Sequence, residues 1–301
     1  MKKPFTAVIL FALLLLAAAA AWAEAGEITY RDYSGTITVP ADTEYVDLGA
    51  MKVENYDAFD AFLDQLPNVK QVDMYTTHMF RKQANRLSER YPQIEFGWTL
   101  YFGDHTVRTD QTAFSTLHDG YEKRHTSQDF EILRHCRRMQ ALDLGHNDLT
   151  DISFIAQMPE LRLLILADNE IEDISPLAGL QKLEYVELFR NRISDLTPLA
   201  GLDRIMDLHL TQNRAMSLAP LMGLPNLQRL WLRDACSSKN ENLDAEVAAL
   251  RAAFPGAQIE TEYLGSDGGW RDHPHYDVLS AMFRGTQYAP FADSFTDSEA
   301  R

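Results

Sequence analysis

Cysteine is nearly absent: the 301 residues hold two, Cys136 and Cys236. A dense disulfide framework, the usual support of small secreted domains, is thereby excluded. Basic residues are scarce too, with 28 Lys and Arg against 44 Asp and Glu and a formal net charge of −16. Nucleic-acid affinity rests on clustered Lys and Arg, so neither nucleic acid nor an anionic membrane surface is expected as a partner. After an opening run from Phe5 to Ala21 no apolar stretch approaches the roughly 20 residues that span a bilayer. Neither the phosphate-binding loop nor the dinucleotide fingerprint occurs. What is present in quantity is apolar side chain, 46% of the total, enough for a sizeable core.

The opening run follows Lys2 and Lys3 and ends in Ala21-Trp22-Ala23 before Glu24. A basic start, a short apolar core and a small-x-small site describe a secretory signal peptide over 1–23, with a mature chain expected from near Glu24. Its removal takes away two lysines and no acid and leaves the chain still more acidic. No Cys follows the run, so a lipidated N-terminal Cys is not expected.

The middle of the chain repeats. Rows begin at Met139, Leu161, Leu183, Ile205 and Leu227, one every 22 residues, and Asn recurs at Asn147, Asn169, Asn191 and Asn213. In the second row apolar residues fall at Leu161, Leu164, Leu166, Ile171, Ile174, Leu177 and Leu180, and the third row repeats them from Leu183 to Leu202. A register held without insertion is the mark of a solenoid in which one coil cannot bury its apolar face alone. L-x-x-L-x-L predicts a short strand whose copies stack about 4.8 Å apart into a parallel sheet. The Asn stands where the chain turns off that strand and can serve the backbone of neighbouring coils. Ser175-Pro176 and Thr197-Pro198 predict a capped helical turn on the return, which Gly179, Gly201 and Gly223 relax.

Rows such as "LEYVELFRNRISDLTPLAGL" (Leu183–Leu202) resemble the 22-residue leucine-rich repeats of the internalin type, common in exported bacterial proteins. The resemblance runs from Met139 to Ser238. It implies an α/β leucine-rich-repeat solenoid, with a parallel sheet on the concave face and short helical turns on the convex face. It also implies a secreted protein-binding module. No cell-wall sorting tail or attachment module is recognisable, so surface anchoring is not part of the implication.

The expected organisation is a signal peptide over 1–23, an N-terminal α/β region over 24–125, repeats over 126–238, a helical C-terminal cap over 239–285 and a mobile tail over 286–301. In the N-terminal region Val46/Leu48, Val72/Met74 and Ile94/Phe96 mimic the L-x-L of a coil. They predict either degenerate coils that extend the solenoid or a small independent domain. Thr126 or Ser127 is the expected N-cap of a lead-in helix, and "ENLDAEVAALRAAF" (Glu241–Phe254) the expected cap helix. Cys136 precedes the first coil and Cys236 closes the fifth, roughly 20 Å away by strand spacing. A disulfide needs Cα atoms within about 7 Å, so both are expected to be reduced and buried.

Outward residues of the strands form columns: Asp143, Ile165, Glu187, His209 and Trp231 in the centre, Ala141, Leu163, Tyr185, Asp207 and Arg229 on one side, Gly145, Ala167, Phe189, Thr211 and Arg233 on the other. The expectation is an exposed binding patch of Tyr185, Glu187, Phe189, Arg190, Asp207, His209, Arg229, Trp231 and Arg233, the aromatic and arginine chemistry of binding hot spots. Its ligand would be a protein, with a glycan as the alternative. The bland reading is exposed apolar area, or a face covered by the C-terminal tail. The second class of function is an exported hydrolase or metal-dependent enzyme, with its site in the N-terminal region or around His273 and His275. There Asp272, His273, His275 and Asp277 offer imidazole and carboxylate ligands, but without a spaced second group. "GGW" before "HPH" reads instead as an anchor that pins the cap by its indole. Similar exported repeat proteins of no assigned activity resemble this stretch and Tyr101–Asp110, which implies a shared structural element. His78, His105, His118 and His125 lack ligand spacing, Ser115 lacks a nucleophile elbow, and Asp151, Asp173 and Asp195 recur as turn residues. No cofactor and no catalysis are expected.

The cysteine placement has a direct check. Thiol titration of the denatured, unreduced protein should find two free sulfhydryls; none would mean that Cys136 and Cys236 are joined.

Overall fold

A three-residue strand has almost nothing to hold it except the strands beside it, so its identity is decided by repetition. The computed structural model describes residues 26–116, 124–263 and 269–291. The chain divides after Thr99 into two compact units.

In the first unit β1 (Glu27–Asp32) and β2 (Gly35–Pro40) form an antiparallel hairpin with Tyr30 opposite Ile37. Then β3 (Tyr45–Asp47), α1 (Tyr56–Leu63), β4 (Gln71–Met79), α2 (Arg81–Arg90) and β5 (Glu95–Phe102) alternate. Asn55 caps α1 by accepting from the Ala58 amide at 3.0 Å. β3 and β4 are parallel with Val46 beside Val72, as coil mimicry predicts. Val46, Val72, Met74, Phe59 and Phe62 are buried. These strands do not continue the repeats, however. β5 runs through the division and folds back at Gly103, φ +54°, into β6 (His105–Arg108). The sheet order β3-β4-β5-β6 therefore ends on a strand from that turn, and the repeats belong to a different sheet.

That second sheet holds seven strands in chain order: β7 (Ala113–Ser115), β8 (Ala141–Asp143), β9 (Leu163–Ile165), β10 (Tyr185–Glu187), β11 (Asp207–His209), β12 (Arg229–Trp231) and β13 (Gln258–Glu260). All neighbours are parallel, and Leu142, Leu164, Val186, Leu208 and Leu230 stand in one row. The sheet thus has one strand before and one after the five expected rows. α3 (Ser127–Phe130) leads in, with Thr126 and Asp129 forming a capping box. Short 3-10 turns return the chain at Ser153–Gln157, Ser175–Leu177, Thr197–Leu199 and Ala219–Gly223. After them α4 (Leu243–Ala253) precedes β13.

The turn off each strand is made by two adjacent residues. His146, Asp168, Arg190, Gln212 and Asp234 all take φ between +51° and +59°, a region that non-glycine residues seldom occupy. In the first four coils the next residue is the repeating Asn, which is buried. Asn191 Nδ2 donates to the carbonyls of Leu166 at 2.9 Å and Leu188 at 3.0 Å, while its Oδ1 accepts from the Ile171 amide at 3.0 Å. Asn169 and Asn213 make the same set one coil away.

Two local expectations are corrected. The hydroxyls of Ser175 and Thr197 do not cap their turns; Asp173 and Asp195 accept from the amides of Ser175 at 2.7 Å and Thr197 at 2.8 Å, because a carboxylate two residues upstream reaches the first turn amide. Both cysteines are free, and burial pushes the Cys136 thiol up, but Cys236 is only half-buried because it lies where the Asn row has ended.

Asn191→Ala strands the Ile171 amide and two carbonyls in the interior. Denaturant unfolding should register a loss of about 1–3 kcal/mol, the cost of unpaired buried polar groups.

Candidate binding face

Alternation along a strand sends one set of side chains to the solenoid interior and the other to the outer face of the sheet. On that outer face stand the expected columns, and in the structure they are covered. The segment 269–291, with α5 (Pro274–Phe283), lies over them and closes a second apolar cluster. It contains Ala141, Leu163, Ile165, Ala167, Tyr185, Phe189, Met206 and Trp231 from the sheet side and Trp270, Leu279, Met282 and Phe291 from the segment. α5 lies against β7 and β8.

The exposure expected of the patch is therefore corrected residue by residue. Tyr185, Glu187, Phe189, Asp207, His209, Arg229 and Trp231 are all buried. The reason is physical: large aromatic rings on adjacent strands offer several hundred Å² of apolar area, more than a soluble surface ordinarily leaves open. Arg190 remains exposed and lies 3.4 Å from Asp168, and Arg233 is partly exposed, donating to the Glu262 carbonyl. The expected mobile tail is likewise corrected in part, since Tyr288 and Phe291 pack on the face; 292–301, like the cleavage site at Glu24, lies outside the described residues.

The indole of Trp270 sits among Tyr185, His209 and Trp231, with ring centroids 5.2, 4.9 and 5.1 Å away. Its Nε1 donates to Glu187 Oε2 at 3.0 Å, and Arg271 Nη2 donates to Glu187 Oε1 at 2.8 Å. Tyr185 also donates to Glu187. Arg229 lies over both indoles, 5.1 Å from Trp231 and 4.6 Å from Trp270, and donates to the Trp270 carbonyl at 2.8 Å. Asp207 receives Arg229 at 3.3 Å on one oxygen and the His275 ring on the other. His275 in turn stacks on Phe291 at 4.0 Å. At the margin Tyr288 donates to Glu184, which also holds Arg162 at 2.6 Å.

Burial acts strongly on the charges. It pushes the Tyr185 hydroxyl well above its ordinary value, helped by Glu187 and Asp207. It works against the charge of Arg271, but Glu187 outweighs it and holds that guanidinium firmly protonated. Asp143, at the early end of the same row, is pushed up to about 7 by burial and by the negative Glu187, in spite of a hydrogen bond from the Gly145 amide.

The other candidate groups are used structurally. His273 Nδ1 accepts from the His275 amide and caps α5, and the two rings meet edge to face at 4.2 Å. The Trp270 indole does anchor its segment, but on the strand face. His105 and His125 approach through their Nε2 atoms at 3.2 Å beside Phe102 and Phe130. Ser115 Oγ donates to Asp143, and His118 lies outside the described residues. Among the described residues no three His, Cys, Asp or Glu converge as a metal site, and no helix is long and apolar enough to cross a membrane.

Strand length, constant register and the Asn row define a leucine-rich-repeat solenoid. A family model described as leucine-rich repeats in two copies matches residues 159–201. Solved structures similar to the chain include internalin C2 of Listeria monocytogenes, 24% identical over 65% of this chain and 74% of that one, with a TM-score of 0.36. An internalin of the same organism, inlF, is 19% identical over 83% and 74%, TM-score 0.43. A leucine-rich-repeat protein of Leptospira interrogans is 18% identical over 66% and 50%, TM-score 0.38. Among curated proteins none matches the chain.

Asp143 sets a pH dependence. Its folded value, about 7, lies above the ordinary 3.8, so between about pH 4 and pH 7 the folded state binds a proton that the unfolded state does not. Stability contributed by this group is full below that window and is lost as pH rises through it. Asp143→Asn should remove a fall on the order of a few kcal/mol, visible as a smaller difference in denaturant midpoint between pH 4.5 and pH 8 than in the wild type.

Proposed function

We propose that the protein is an exported, non-catalytic module that recognises a protein ligand through the concave strand face of its repeats. One observation carries the reading: that face already holds a polypeptide, its own residues 269–291, by an indole in an aromatic pocket and by cationic or N–H donors on buried carboxylates. A surface able to desolvate Trp270 and pair Arg271 with Glu187 has the composition of a protein-binding hot spot, where Trp, Tyr and Arg carry most of the energy. A glycan would use flat aromatic stacking with hydroxyl partners, whereas the carboxylates here are matched to cations. The apolar run from Phe5 to Ala21 with its Ala21-Trp22-Ala23 site supports the export part of the reading. Repeats stacked on a continuous interior give the face the rigidity that binding without a large ordering cost needs.

The test compares three baits in secretions and cell-surface extracts: the intact chain, Trp270→Ala/Arg271→Ala, and that variant with Glu187→Gln added. A protein captured at least about tenfold more by the second bait, and lost with the third, is the expected result. Equal capture by all three would move the site off the strand face, towards Arg190 and Arg233 at the exposed strand ends.

A further inference from the structure

The segment on the strand face differs in kind from the interior beneath the sheet. The strand residues that line that interior are aliphatic: Leu142, Leu164, Val186, Leu208 and Leu230 point the other way and are fully buried. On the face, by contrast, the contacts are those of an interface between two partners. Trp270, Arg271 and His275 each meet a carboxylate, and Arg229 is held between two indoles while donating to backbone carbonyls of the segment. The sheet contributes the acids Glu184, Glu187 and Asp207 at these contacts, and the segment the donors that meet them.

The match is also incomplete. Trp231 Nε1, Thr211 Oγ1 and Arg229 Nε of the sheet, and Arg271 Nε of the segment, are buried and have no hydrogen-bond partner among the described residues. Native interiors leave few such atoms, and each is costly where it occurs. The three on the sheet side lie on adjacent coils of one face. Trp231 and Arg229 lie directly against Trp270 of the segment, and all three are unsatisfied donor positions that a better complement can fill.

Resting on the binding reading above, we propose that residues 269–291 are a tethered pseudo-ligand that keeps the face closed. The partner that displaces them is a protein segment bearing an aromatic residue followed by arginine, with a further cation or imidazole about one helical turn on and carbonyl or carboxylate oxygens aimed at Trp231 and Thr211. A covalently joined segment competes at an effective concentration on the order of millimolar. The partner's apparent affinity is then reduced by the fraction of molecules in which the face is open; if that fraction is about 1%, binding is about 100-fold weaker. The orphaned donors are what allow a stranger to outbind the tether.

The experiment cuts the tether in the folded protein. A protease site is inserted between Leu264 and Gly268, the full chain is folded and cut, and the body, freed of its fragment, is titrated with a fluorescent peptide of residues 269–291. The body should keep its circular dichroism and cooperative unfolding. It should bind the peptide about 100-fold more tightly than the uncut chain does, and a peptide carrying Trp270→Ala and Arg271→Ala should not bind. Glu187→Gln in the cut body should weaken the wild-type peptide about tenfold or more. A body that unfolds once its fragment leaves, or a fragment that never exchanges with the peptide, would make the segment part of the core and overturn the proposal. The two readings separate cleanly. Peptide exchange without any captured protein keeps the pseudo-ligand and fails the partner; a captured protein with a fragment that never exchanges does the reverse.

Discussion

Everything on the strand face depends on how the chain leaves each strand. A residue in the left-handed region, such as Arg190, turns the backbone, and the Asn that follows takes up the carbonyls and the amide that the turn would otherwise orphan. The unfavourable backbone of one residue is offset by the hydrogen bonds of the next. Because this pair recurs without insertion, successive strands pair with no slip, and side chains 22 residues apart stack in columns. A slip of one residue would send Glu187 and Tyr185 inward and the leucines outward. The ladder is therefore what converts a periodic sequence into a face with a fixed chemical pattern.

That pattern explains what covers it. Three carboxylates and four large aromatic or imidazole groups in adjacent coils cannot be left as a wet surface without exposing extensive apolar area, nor buried under aliphatic side chains without orphaning charge. Only a partner that brings both rings and donors suits them. Residues 269–291 bring both: Trp270, Phe291 and Leu279 supply area, and the indole N–H, the Arg271 guanidinium and the His275 ring supply hydrogens to Glu187 and Asp207. Breaking one member of such a buried pair leaves the other uncompensated, so the segment and the face are energetically coupled.

The repeat was legible because its signals are local and periodic. Leucines at fixed offsets, Asn147 to Asn213 and the Pro-containing returns each state a rule of one coil, and the copies state the stacking. The candidate site was legible only as a set of residues. Tyr185, Glu187, His209 and Trp231 were identifiable as one column set, yet their exposure depended on a segment some 40 to 100 positions away in the chain, and no period connects Trp270 to Glu187. The clue available was compositional: carboxylates and large rings interleaved at outward positions, together with a Trp-Arg followed by two histidines beyond the last coil. Read as complementary sets, donors and rings in one and acids and rings in the other, they propose the pairing that the structure contains. The N-terminal strands left two readings open, degenerate coils or a small independent domain. Their L-x-L mimicry is real, as Val46 beside Val72 attests, but the fold-back at Gly103 seals the end of that sheet with β6.

The location of the imperfect hydrogen bonding is informative about what kind of contact the segment makes. In the Asn row every amide atom of Asn191 has a backbone partner, as expected where folding and stability were the only demands. On the strand face, two adjacent coils of the same repeat leave Trp231 Nε1, Thr211 Oγ1 and Arg229 Nε buried and unmatched. Both arrangements are built on one scaffold with one register, so the difference cannot come from the scaffold. It comes from the cover: the Asn row meets its own backbone, fixed by the repeat, whereas the face meets a segment that pairs well with Glu187 and Asp207 and leaves Arg229 Nε and Trp231 Nε1 unmatched. A surface whose polar groups exceed what its resident cover satisfies is shaped by more than that cover, and this is the physical basis for reading the strand face as a binding surface and not only as a second core.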